Sequence, residues 1–80
     1  MNEKYIEAYK TKINEINEKA MKAYKEKNIY KLIDLYGDIK YYKGCLMSES
    51  LNGFNDGINN LYEESSTISQ HIYSVILDIL

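Results

Sequence analysis

Leu51, Phe54, Ile58, Leu61, Ser65, Ile68, Ile72, Val75 and Ile79 follow one another at alternating gaps of three and four residues, with one polar member. Such spacing aligns all nine along one stripe of a helix and requires a second helical surface to cover it. The same rhythm recurs upstream. Ile6, Tyr9, Ile13, Ile16, Ala20 and Ala23 mark a helix over residues 3–27 that neither Gly nor Pro interrupts. Leu32, Leu35, Ile39, Tyr42 and Leu46, widened by Ile29, Ile33 and Tyr36, mark another over about 29–47, with Asn28 as its N-cap or as a hinge.

Between the second and third stripes the signals conflict. Asn52-Gly53 and Asp56-Gly57 are strong turn dipeptides, yet Leu51, Phe54 and Ile58 keep the apolar phase across them. Turn chemistry predicts a loop or frayed turn over 52–57 and a helix from about 58 to 80; the phase leaves a continuous helix as the alternative. The last residues are rich in Ile and Val, so a β-strand there is a further alternative. If helical, this segment is apolar nearly all round, as a helix buried on more than one side would be.

The expected fold is therefore all-α, a single domain over residues 1–80. It is a small two- or three-helix antiparallel bundle or hairpin with coiled-coil-like packing. Eighty residues lie near the lower limit for a self-sufficient core. One cysteine, Cys45, excludes an internal disulfide, and one histidine, His71, leaves too few soft ligands for a structural zinc site. Neither metal nor cofactor is expected. Oligomerisation or docking onto a partner is the remaining aid; homodimerisation is expected, with Leu51, Phe54, Ile58, Leu61, Ile68, Ile72, Val75 and Ile79 as the oligomer or packing seam.

Nearly half the residues are Lys, Asn, Ile or Tyr, while Arg, Trp and Pro are absent. All four favoured residues have AT-rich codons, which points to a low-GC bacterium or to a phage or mobile element within one. Glu3 and the lack of a long apolar stretch argue against a signal peptide and a membrane span, so a cytoplasmic location is expected.

Charge is divided along the chain. Residues 1–31 hold eight Lys and five Glu, whereas residues 44–80 hold five acids and no Lys. A basic first helix lying near an acidic last one accounts for this division. The alternative, a nucleic-acid-binding regulator, is weakened by the absence of Arg and by glutamates interleaved among the lysines.

Catalytic constellations are missing. Cys45 and His71 are the sole candidates for a nucleophile and base, with no third group to orient them. Glu63 and Glu64 diverge by about 100° on a helix. A calcium loop over 52–63 fails because Phe54 stands where an oxygen ligand is needed.

The nine tyrosines carry the strongest functional signal. On the second helix, Tyr30, Asp34, Gly37, Tyr41, Gly44 and Ser48 share the side opposite Leu32, Leu35, Ile39 and Leu46. Tyrosine offers large contact area at low entropic cost, and glycine admits a close backbone. Tyr30, Asp34, Gly37, Tyr41 and Gly44 are therefore the expected partner-binding residues. The expected function is a non-enzymatic protein-binding module, in its concrete form a small phage- or mobile-element-type inhibitor or adaptor that blocks a larger host protein such as defence machinery.

Tyr42-Lys43-Gly44 resembles, over three residues, the Trp-x-Gly turn of helical hairpins exported by bacterial type VII secretion. The resemblance implies a hairpin that pairs with a related helical partner, although the turn-like chemistry of this chain falls later, at residues 52–57. The aromatic-plus-acid tail signal of that family is not matched, since Leu77 stands four residues after Tyr73.

Overall fold

The computed structural model describes residues 3–53 and 56–80, except for the side chains of Glu3 and Asn52. It contains three helices: α1 (Glu3–Lys25), α2 (Ile29–Asn52) and α3 (Asp56–Ile79). Each of the longer two extends about 36 Å at 1.5 Å per residue, close to the 40 Å long axis of a body measuring 40 × 18 × 15 Å. Every helix thus spans the bundle end to end.

The turn between α1 and α2 shows how local chemistry fixes the topology. Asn28 N–H donates to the Ala23 carbonyl (2.9 Å) and Lys27 N–H to the Tyr24 carbonyl (3.0 Å). This is the paired closure of a Schellman motif, with Lys27 in the left-handed region at φ 54. Asn28 then starts the next helix, its side-chain oxygen accepting from the Lys31 N–H at 3.1 Å. One asparagine closes one helix and opens another, so α1 and α2 must run antiparallel.

Ring contacts confirm an up-down-up order. Tyr9 near the start of α1 meets Tyr42 in the second half of α2, with centroids 6.1 Å apart and rings at 83°. Tyr36 in the first half of α2 meets Tyr73 late in α3 at 5.9 Å. The C-terminal ends of α1 and α3 come together where the Tyr24 hydroxyl donates to Asp78 Oδ2 at 2.9 Å.

The core draws on all three helices. Ile13, Ile16, Ala20 and Ala23 enter from α1, and Leu32, Leu35, Ile39 and Leu46 from α2. Helix α3 adds Ile58, Leu61, Ile68, Ile72 and Val75, while Ile79 packs partly buried against them. Ser65, the polar member of the α3 stripe, is fully buried and satisfied within its own helix: its hydroxyl donates to the Leu61 carbonyl at 2.8 Å. No buried side-chain nitrogen or oxygen among the described residues lacks a partner.

Several expectations change here. Helix α2 continues to Asn52 instead of ending near residue 47, and α3 starts at Asp56 instead of Ile58. The turn dipeptides are divided between the helix ends: Gly53 caps α2, while Asp56 and Gly57 form the first turn of α3, where an acidic side chain meets the positive end of the helix dipole. The last segment is helix, not strand. Leu51 is 83 % exposed and does not belong to the core stripe. It follows the buried Leu46 by five residues, which on a continuous helix turns it about 140° away. Phe54 lies outside the described residues. Finally, α1 and α2 of the same chain cover the α3 stripe, so that stripe does not itself demand a second copy.

The basic α1 and acidic α3 are joined by the Tyr24–Asp78 hydrogen bond. The ion pair within α1 joins Lys12 to Glu15 at 3.9 Å, both about half exposed. An exposed pair of that length contributes well under about 1 kcal/mol.

Candidate functional site

Helix α2 is apolar on two opposite sides. Its inward side supplies Leu32, Leu35, Ile39 and Leu46 to the core. Its outward side exposes Tyr30 at 80 % and Tyr41 at 68 %, together with Ile33, Met47 and Leu51. A helix with apolar residues all round is ordinarily covered all round, and here one side is open.

All five residues expected to bind a partner lie on that open side: Tyr30, Asp34, Gly37, Tyr41 and Gly44 are exposed. The site also includes Ile33, Met47 and Leu51, which the apolar rhythm assigned inward or left unplaced. A signal for them was present in the chain. Tyr30, Gly37, Gly44 and Leu51 recur at intervals of seven, a stripe of their own on the side opposite the core stripe. Ile33 and Met47 flank it.

Gly37 and Gly44 are not packed against the other helices. Beyond its own neighbours and helical turns, a Cβ built on either would meet nothing within 4 Å, and neither residue has a positive φ. Close packing of α2 against α1 or α3 therefore does not explain them. Each costs the helix about 0.5–1 kcal/mol relative to alanine.

Aromatic side chains stiffen the flank facing α1. Tyr41 stacks edge-on to Tyr42 (5.5 Å, 77°), which in turn contacts Tyr9. A side-chain hydrogen bond with Cys45, together with charge interaction with that thiol, pushes the Tyr41 hydroxyl above its ordinary 10.0. Burial, followed by the nearby Cys45 and Glu49, raises Tyr9. Cys45 is thus half-buried among tyrosines, whereas His71 is exposed on α3. On the flank facing α3, the Lys40 ammonium lies 5.9 Å from the Tyr36 ring centre and that of Lys43 5.5 Å from Tyr62. The lysines lean off the stripe onto neighbouring rings and leave its centre uncharged.

Beside these lysines, an open cleft of about 430 Å³ runs between α2 and α3, lined by Tyr36, Lys40, Lys43, Ser69, Gln70, Tyr73 and Ser74. Among the described residues no group of three or more His, Cys, Asp or Glu is placed to hold a metal ion. No helix is long and apolar enough to cross a membrane, among the same residues. Tyr42-Lys43-Gly44 lies in the middle of α2 rather than at a turn, which removes the structural basis of its resemblance to a secretion-type hairpin. Comparison with protein-family models, with curated proteins and with solved structures finds no match to this chain.

Proposed function

We propose that this chain is a non-catalytic protein-binding module whose docking surface is the outward face of α2. In its concrete form it is a small inhibitor or adaptor, of the kind carried by phages and mobile elements, that occludes a surface of a larger host protein. One observation carries the reading: the bundle completes its core internally, yet still exposes Tyr30, Ile33, Tyr41, Met47 and Leu51 along one helix. Contiguous exposed apolar surface of this kind marks interaction sites on soluble domains. Tyrosine is enriched among the residues that dominate binding energy.

The test is affinity capture from host extract with immobilised wild-type chain, the Tyr41→Ala variant and a Thr11→Ala control on the exposed side of α1. A bound protein retained by the wild type and the control but lost with Tyr41→Ala supports the reading. Capture that is indifferent to Tyr41 would remove α2 as the docking face. Circular dichroism must show unchanged helicity in both variants, as expected for exposed positions.

A further inference from the structure

We propose that the outward face of α2 is self-complementary and that a second copy of this chain docks on it, α2 against α2 in antiparallel order about a two-fold axis between Lys40 and Tyr41. The inference rests on the docking reading of that face and says what covers it while no target is bound: a second copy of this chain.

The stripe is symmetric about its midpoint in side-chain size. Tyr30 and Leu51 lie equally far from the point between Lys40 and Tyr41, and so do Gly37 and Gly44. In a two-fold antiparallel pair, residues equidistant from the axis on opposite sides face each other. Gly37 of one copy then meets Gly44 of the other, twice, and each Tyr30 meets a Leu51. Small residues oppose small ones at the two inner layers, and bulky residues close the two ends.

The glycines supply the physical reason for close approach. Beyond their own neighbours and helical turns, nothing in the chain comes within 4 Å of a Cβ at either glycine, so they admit another backbone. Helices that meet at glycine come nearer than side chains otherwise allow, so flanking Tyr41 and Met47 wrap over the partner. An axis through this point brings the two Lys40 residues together. Their ammonium groups are already drawn aside toward Tyr36, so the stem and not the charge lies in the contact.

The face runs the length of α2, from Ile29 to Asn52, so the contact extends along most of the 40 Å long axis instead of at one point. Antiparallel order also sets the two α2 dipoles head to tail, the favourable sense.

Because the host target of the functional reading uses the same face, target and second copy compete. Target capture per chain should then fall as chain concentration rises.

The experiment is molar mass by light scattering over a concentration series into the submillimolar range, on the wild type and on Gly44→Leu. A mass near twice 9.4 kDa for the wild type is expected. Gly44→Leu should retain wild-type helicity, because the position is open in the single chain, and lose the dimer. Orientation is read from oxidative cross-linking in a Cys45→Ser background. Tyr41→Cys should form a symmetric disulfide readily, Tyr30→Cys should not, and a mixture of Tyr30→Cys with Leu51→Cys should cross-link. Wild type that stays monomeric throughout, or a dimer indifferent to Gly44→Leu, overturns the proposal, as does equal cross-linking through Tyr30→Cys and Tyr41→Cys. Monomeric wild type whose target capture still depends on Tyr41 would overturn self-docking alone and leave the functional reading standing.

Discussion

Replacing Gly37 and Gly44 together by alanine should stabilise the single chain, and the structure sets the size of the effect. Both residues lie in the interior of α2 with ordinary right-handed backbone, and a Cβ at either position meets open space. Neither strain nor a clash then opposes the gain from stiffening the unfolded chain, about 0.5–1 kcal/mol per site. The sites lie seven residues apart, about 10 Å along the axis, so the two gains should nearly add to about 1–2 kcal/mol. For a domain of this size, each kcal/mol raises Tm by about 4–8 °C. Thermal melts followed by circular dichroism, at a dilution where light scattering reports monomer, should therefore move up by about 4 °C or more. An unchanged or lower Tm would refute the geometry, since it would mean that α1, α3 or a local distortion of α2 needs the missing Cβ. If the melt rises while partner binding falls, the glycines serve recognition at the expense of the fold, a pattern familiar at functional positions.

Three other perturbations probe the core, the first turn and the ionisable tyrosines. Ile72 is fully buried at the centre of the α3 stripe; Ile72→Asp should unfold the chain, because burying a charge there costs several kcal/mol against a total stability of about 4–12 kcal/mol. Native-like helicity and an unchanged urea midpoint would contradict that packing. Asn28→Ala removes the acceptor for the Lys31 N–H and should cost about 1 kcal/mol in urea denaturation; no change would mean that water replaces the cap without loss. The hydrogen bond to Asp78, then its charge, raises Tyr24 above 10.0, as Cys45 raises Tyr41 and burial raises Tyr9. A pKa raised in the folded state gives stability that is fully present below pH 10 and is lost as pH rises through the raised values. Tyr24→Phe should remove its share of that alkaline loss, and a spectrophotometric titration placing these phenols below 10.0 would reverse the sign.

Much of the architecture was legible in the chain because it depends on local regularities. The three-four rhythm identified the inward faces of Ile13, Ile16, Leu32, Ile39 and Ile72, since burial follows the helical period once a helix forms. Asn28 was readable as a cap because its side chain competes for nearby backbone N–H groups wherever it stands. The side of α2 bearing Tyr30, Asp34, Gly37, Tyr41 and Gly44 followed from the same wheel.

What the rhythm alone left open were questions of relative placement. It carried Leu51 and Phe54 into the last stripe, because periodicity runs through a turn on paper and a turn resets the direction in space; Leu51 ended outside the core. It assigned Ile33 inward by hydrophobicity, although the inner surface of α2 was already filled by Leu32, Leu35 and Ile39. It asks for another helical surface to cover α3 without saying which, and α1 and α2 of the same chain supply one. Glycine in a helix admits a close backbone, and only the three-dimensional arrangement shows that neither α1 nor α3 supplies one at Gly37 or Gly44. Sequence determined which residues seek burial and where helices begin, since those depend on neighbours a few positions away. Which apolar surface is satisfied and which stays open was decided by tertiary structure, because it depends on how three helices of fixed length divide a limited interior among more apolar side chains than it can hold.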